Sequence, residues 1–243
     1  MGCVFHRIAQ IVTVWARAHK SKALTTSNSL IPFAQTNGDL ALLTLHFAPN
    51  SRAVRAVWLL EELGLDYQLE RYALGAPEMR SPEFRKVHPM GRVPVLEDGD
   101  IRLFESGAIM EYLISRHGQG RLRPAEDSAH YPAYLQWLHY SEGMIMPPIN
   151  SYMVETFFLP PERQSEVHAK RAKKLMGQML VAVDAGLAGR EYLAGDFSAA
   201  DIMTGSAVLS AQHIGVDLSE MRDLQAYCTR LQARPAYQKA SNT

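Results

Sequence analysis

From Leu40 to Phe47 apolar residues run almost unbroken, relieved by Thr44 and His46, a length suited to a buried strand. Ala48-Pro49-Asn50-Ser51 ends the run. Val54, Val57, Trp58, Leu60 and Leu63 then recur at helical spacing, with Ser51 as the expected N-cap and Gly64 as the stop. Asp66 to Leu74 reads as a second strand. Ser81-Pro82-Glu83-Phe84 opens a short helix with proline in its first position. Asp98-Gly99 marks a tight hairpin turn between two short strands. Glu105-Ser106-Gly107 opens another helix, carrying Ile109, Met110, Leu113 and Ile114 on its apolar side. The order is strand, helix, strand, helix, strand, strand, helix. A parallel βαβ unit and a closing antiparallel hairpin make a four-stranded α/β sheet.

Past Gly118 the pattern changes. Residues 119–129 are polar and read as a linker. From residue 130 only helical periodicity remains. Tyr134, Leu135, Trp137 and Leu138 begin one face, and Leu175, Met176, Met179, Leu180, Val183 and Leu187 form another. Pro147-Pro148 and Pro160-Pro161 are expected to interrupt these helices. Ser198-Ala199-Ala200-Asp201 has capping-box spacing, with Asp in place of Glu. The organisation is therefore residues 40–118 as an α/β domain, a linker over 119–129 and an all-α domain over 130–243.

Charge sets the first 39 residues apart. The chain balances 25 basic against 25 acidic residues, yet residues 1–38 hold Arg7, Arg17, Lys20 and Lys22 and no acid. A signal peptide needs a longer apolar core than Ile8–Ala16, a transit peptide fits the missing acids, and an N-myristoylation motif wants Ser or Thr where His6 stands. A basic, disordered extension over 1–39 is the expectation. The overall balance argues against a dedicated nucleic-acid binder. Two cysteines, Cys3 and Cys228, give neither a disulfide framework nor a metal motif, and no apolar run reaches the roughly 18 residues of a membrane span. A cytoplasmic protein without metal, nucleic-acid or membrane partners is expected.

Three short stretches admit a chemical reading beside a structural one. Val93-Pro94 is either a plain strand-edge proline or a cis peptide that leaves the Val93 backbone open to a peptide-like ligand. Glu105-Ser106 is either a helix cap or an anchor for a zwitterionic amino-acid group, the carboxylate on the helix N-terminus and the ammonium on Glu105. Ser51, between Asn50 and Arg52, is either an N-cap or a donor to a thiolate. Glu61-Glu62 reads as solvated surface, because adjacent residues on a helix point apart.

Taken in order, these stretches resemble the cytosolic glutathione transferases. Asn50 to Leu65 (N-S-R-x-x-R-x-x-W-L-L-E-E-L-G-L) is similar to the first helix of bacterial and fungal members. Pro89 to Leu96 (P-x-G-R-V-P-V-L) and Glu105 to Leu113 (E-S-G-A-I-x-E-Y-L) resemble the glutathione-binding core. Phe197 to Ile202 (F-S-A-A-D-I) resembles the capping box of the helical domain. The resemblance covers about 200 residues and implies a thioredoxin-like α/β N-terminal domain plus an all-α C-terminal domain, the glutathione transferase fold.

It also implies roles. The Val93 backbone before cis-Pro94 pairs with the cysteinyl backbone of glutathione, and Glu105 and Ser106 hold the γ-glutamyl end. Arg92 or Lys86 meets the glycyl carboxylate. Ser51 supports the sulfur, with Asn50 sharing or taking over that role. Phe47 lacks the hydroxyl of tyrosine-type members, and no cysteine lies between residues 4 and 227, so the chain is expected to be serine-type. The implied reaction joins glutathione, as co-substrate, to a small hydrophobic electrophile, with peroxide reduction as a side activity. Tyr140, Met144, Phe157 and Phe158 are the expected electrophile pocket, and a homodimer is the expected assembly. The same fold also serves glutathione-dependent peroxidases, disulfide reductases and dehalogenases, and non-enzymatic binding modules.

Overall fold

A computed structural model describes residues 42–243; the extension expected over 1–39, with Cys3, lies outside them. The chain runs β1 (Leu43–Phe47), α1 (Ala53–Leu63), β2 (Tyr67–Arg71), α2 (Phe84–Val87), β3 (Val95–Asp98), β4 (Ile101–Phe104) and α3 (Ser106–His117). The helical half follows as α4 (Tyr131–Tyr140), α5 (Met146–Met153), α6 (Glu166–Gly186), α7 (Ala199–His213), α8 (Arg222–Gln232) and α9 (Pro235–Ser241).

The sheet order is β2-β1-β3-β4. β1 pairs in parallel with β2, and β3 lies antiparallel to both β1 and β4. The βαβ unit and closing hairpin read from the sequence are thus present, with small shifts. β2 ends at Arg71, not Leu74. The hairpin turn is Gly99-Asp100, because Asp98 still pairs with Ile101; Gly99 takes the positive φ of 58° that the turn requires. A 3₁₀ turn over Pro77–Arg80, not read from the sequence, precedes α2. Gly64 ends α1 in the left-handed region at φ 65°.

α1 is buried along Ala56, Val57, Trp58, Leu59 and Leu60, because both sheet and helical half cover it. Each large apolar side chain so buried contributes about 1.5–3 kcal/mol. Glu61 and Glu62 correct the sequence reading. Glu62 accepts from the Trp58 indole (2.9 Å) and from Arg234 Nε and Nη2 (2.6 and 2.8 Å). Glu61 takes Tyr67 Oη and, at 2.8 Å, Lys239 Nζ. The two carboxylates clamp α9 onto α1, where Tyr237 meets Trp58 edge to face with ring centroids 4.8 Å apart.

In the helical half, Pro147-Pro148 does not interrupt the chain of helices. α4 passes through a π-helical turn over Ser141–Ile145 directly into α5, with the prolines in its first turn. Proline is tolerated there because first-turn N–H groups lack partners anyway. Two side chains bond carbonyls along this run: Ser151 Oγ donates to the Pro147 carbonyl (3.1 Å), and Thr204 Oγ1 donates to the Trp137 carbonyl. Pro160-Pro161 does end the run after Phe158. The capping box forms as read, with Ser198 N–H donating to Asp201 Oδ2 at 2.9 Å; Leu193 N–H and Tyr227 Oη also donate to Asp201 Oδ1.

Candidate functional site

Strand register brings three loops to one end of the sheet. His46, near the end of β1, lies opposite Val95, the first residue of β3. Val95 in turn lies opposite Phe104, the last residue of β4. The segments 48–52, 91–94 and 105–106 leave the sheet side by side. All the residues read as glutathione contacts, save Lys86, fall in them.

The first segment is the turn from β1 to α1. Asn50 is exposed at φ 57°, a conformation asparagine tolerates better than most. Ser51 is not the N-cap itself; Arg52 holds that position with helical dihedrals. Ser51 acts one residue earlier. Its Oγ accepts from Ala53 N–H at 3.1 Å and donates to the Ala48 carbonyl at 2.7 Å. Ser51 is partly buried, and its proton already points along a hydrogen bond at the start of a helix.

The second segment carries a cis Val93–Pro94 peptide. Of the two alternatives offered for this pair, the cis peptide is present, but the strand it precedes is internal: β4 and β2 are the edges of the sheet. Pro94 is tolerated because it lies one residue ahead of the ladder. Gly91 is required on two counts. It sits at φ 63°, and a Cβ there would fall 2.0 Å from the Met79 carbonyl oxygen. Upstream, His88 is buried. Its Nδ1 accepts from Met90 N–H at 3.0 Å, which assigns the proton to Nε2, and its ring packs on Phe104 with centroids 4.7 Å apart. Burial, then the nearby Arg92 charge, lowers the His88 pKa against a weaker opposing pull from Glu105. A lowered pKa means the folded chain binds fewer protons than the unfolded one near pH 6.5. The His88 contribution is therefore complete above about pH 6.5 and is lost as pH falls below it. The midpoint of thermal unfolding should drop between pH 7 and 5.5. His88→Asn, which keeps an acceptor for Met90 N–H but does not titrate, should flatten that slope; an equal slope in both proteins would refute this role.

In the third segment Glu105 occupies the cap position of α3 at φ 76° and ψ 113°. A residue with a Cβ held there costs about 1–3 kcal/mol, and such outliers cluster at ligand sites. Ser106, read as the cap, is instead the first helical residue and is 3% exposed. Its Oγ lies 3.5 Å from Arg55 Nη1.

Arg55 follows Ser51 in the same turn-to-helix motif, but its partner is a residue the sequence does not reveal. The Arg55 side chain is 3% exposed and donates from Nη1 to Glu142 Oε1 at 2.5 Å. Glu142 comes from the π-helical turn after α4 and also accepts from Arg52 Nε at 2.9 and 3.0 Å. Arg52 reaches further, from Nη2 to Asn150 Oδ1 at 3.4 Å. Burial pushes the Glu142 pKa up, but the bond from Arg52 and the charges of Arg55 and Arg52 outweigh it and hold the carboxyl below its usual range. Burial disfavours the Arg55 charge, partly offset by Glu142; arginine stays protonated regardless. An arginine on the buried side of α1 signals that a carboxylate must meet it, but nothing local points to one 87 positions away.

Arg92 and Lys86 are both exposed. Arg92 adjoins Val93, while the Lys86 carbonyl, on α2, accepts from Arg102 Nη1 at 2.9 Å. The four residues read as an electrophile pocket separate. Tyr140 donates its hydroxyl to the Met179 carbonyl at 3.0 Å and packs its ring on Trp137, so it belongs with α6. Met144, Phe157 and Phe158 are exposed, the last two at 68% and 64%. With Val154 they lie along the stripe through 144, 147, 150–151, 154 and 157–158, the face that meets Arg52 through Asn150.

Residues 41–115 match the family model "Glutathione S-transferase, N-terminal domain". Glutathione S-transferase 4 of Zea mays is 36% identical over 198 residues, 77% of this chain and 86% of that protein. The theta class glutathione S-transferase of Xanthomonas axonopodis pv. citri, solved with glutathione bound, superposes with a TM-score of 0.74 at 29% identity, over 83% of this chain and 97% of that one. A Pseudomonas putida glutathione transferase, solved with one glutathione disulfide per subunit, gives 0.73 at 27%, over 82% and 90%. With this identity and coverage, and a thioredoxin-like sheet followed by an all-helical half, the chain belongs to the glutathione S-transferase family.

Proposed function

We propose that the protein is a serine-type glutathione transferase that adds the glutathione thiolate to small electrophiles. The observation that carries this reading is the convergence of Ser51, Val93 and Glu105-Ser106 at one end of the sheet. In this reading the Val93 backbone pairs with the cysteinyl peptide. Ser106 and the α3 N-terminus receive the γ-glutamyl carboxylate, and Glu105 its ammonium. Arg92, and Lys86 more distantly, face the glycyl carboxylate. Ser51 keeps its bond from Ala53 N–H and turns its proton from the Ala48 carbonyl to the sulfur.

A free thiol ionises near pH ~8.5, so only a few per cent is thiolate at neutral pH. Lowering its pKa by about two units takes roughly 2.7 kcal/mol of differential stabilisation. One hydroxyl donor and a helix N-terminus are of that size. The thiol proton leaves to solvent before attack. The sulfur then forms the new bond to the electrophile, whose leaving group departs or whose double bond takes a proton. The stripe of Met144, Phe157 and Phe158 seats the acceptor, and two chains form a dimer.

A second reading, disulfide or peroxide reduction, is favoured by the glutathione disulfide held in the Pseudomonas putida protein. Among the described residues the one cysteine, Cys228, is buried with its thiol pushed up to about 11. Glutathione itself would then be the nucleophile. Retention on immobilised glutathione with elution by the free tripeptide, plus turnover on a panel of aryl halides, enals and disulfides, tests the proposal. A folded chain that neither binds nor turns over would be a non-enzymatic module of the same fold.

A further inference from the structure

Two arginines at the start of α1 share one carboxylate. Arg52 and Arg55 both bond Glu142, and these are the charged groups that act on it. The trio therefore carries a surplus of one positive charge. The surplus is not buried with Arg55. It rests on Arg52, whose side chain is about a third exposed. Arg52 uses Nε for Glu142 and Nη2 for a long, exposed contact to Asn150. Among the described residues Nη1 has no hydrogen-bond or ion-pair partner, which leaves that amino group for a ligand.

This cation stands at a distinct place. It follows Ser51 directly in the chain, and Asn150 ties it to the helix face that carries Met144, Val154, Phe157 and Phe158. Exposed apolar side chains on both sides of Asn150, with a partly exposed guanidinium held at Asn150, fit an amphipathic ligand, its ring on the apolar side chains and its anion on the fork. We propose that Arg52 is a specificity-determining residue that binds a carboxylate or sulfonate on the electrophile, so that the preferred acceptors are anionic aromatic compounds rather than neutral ones. This deepens the transferase reading and rests on it.

Product analogues test it without relying on turnover. S-benzylglutathione and the ortho, meta and para isomers of S-(carboxybenzyl)glutathione differ only by the carboxylate. The best isomer should bind at least tenfold more tightly than S-benzylglutathione at low salt, about 1.4 kcal/mol, and the preference should shrink as salt rises. Arg52→Gln should bring the ratio to within about twofold, and Arg52→Lys should keep part of it. Asn150→Asp, on an exposed helix position, should abolish it while leaving Arg52 in place, because the new carboxylate neutralises the surplus charge. Equal wild-type affinities for the benzyl and carboxybenzyl compounds would overturn the proposal alone. Loss of both affinities to the same degree in Arg52→Gln would also overturn it, by assigning Arg52 to glutathione. Absence of any S-benzylglutathione binding would overturn the transferase reading with it.

Discussion

Glu142→Gln should lower the thermal midpoint by about 6–12 °C, corresponding to a loss of about 3 kcal/mol in a chain of this size. The substitution keeps the shape and one acceptor oxygen, turns the other acceptor into a donor, and removes the charge that Arg55 faces in the interior. Removing one partner of a buried pair costs about 3–5 kcal/mol, since the remaining ion stays desolvated. The lower end applies because the Glu142 side chain is 36% exposed and solvent screens part of the effect. Arg52, more exposed, loses little. Replacing both members, Arg55→Met with Glu142→Met, should recover most of the loss, because no unpaired charge remains in the interior and Arg52 keeps its access to solvent. The pH dependence has a definite sign. Glu142 has a depressed pKa in the folded chain, so its contribution is present above the ordinary carboxylate pKa of 4.5 and vanishes as pH falls through the lower folded value. Wild type and Glu142→Gln should differ fully at pH 7 and converge under acid. Calorimetric midpoints that differ by less than 2 °C at pH 7 would contradict the buried-pair account.

Ser51→Ala should reduce kcat/KM for conjugation about 100-fold, or about 2.7 kcal/mol, the typical cost of one donor to a developing or standing anion in a site that excludes water. The same change removes the acceptor for Ala53 N–H, which costs stability of about 0.5–2 kcal/mol at a helix start. The two effects separate in Ser51→Thr, which retains the hydroxyl and should restore most of the activity, and in glutathione affinity, which should move less than turnover. If Asn50 were the principal donor, Asn50→Ala would carry the larger kinetic loss.

The half of the molecule made by local pattern was legible. Hydrophobic pattern, cap residues and the Asp98-Gly99 signal point to the element order of the sheet, because each lies within a residue or a few of what it specifies, the turn itself being Gly99-Asp100. Short-range exceptions are of one residue: the observed caps are Arg52 and Glu105, each one position from the expected Ser51 and Ser106. Ser51 still makes a cap-like bond, accepting from Ala53 N–H, whereas the Ser106 hydroxyl faces Arg55. What pattern could not supply was contact across the chain. Glu61-Glu62 looked like solvent-facing charge until Arg234 and Lys239 arrived from the far end of the sequence. Arg55 and Glu142 meet across the two halves, and neither flank hints at the other. Pro147-Pro148 reads as a break, yet the helix continues because a widened turn over Ser141–Ile145 leads into it and sets both prolines in the first turn that follows. Tyr140 was grouped with the exposed aromatic residues by proximity in sequence, whereas the helix turns it towards α6.

The central claim is that Ser51 stabilises the sulfur of bound glutathione as a thiolate. Its most direct test is the ultraviolet absorbance of that thiolate, titrated against pH with saturating glutathione in wild type and in Ser51→Ala. The account predicts a bound-thiol pKa near ~6.5 in wild type and a rise towards the free value of about 8.5 in the variant. A pKa that stays where it was in Ser51→Ala, with glutathione still bound, would contradict it.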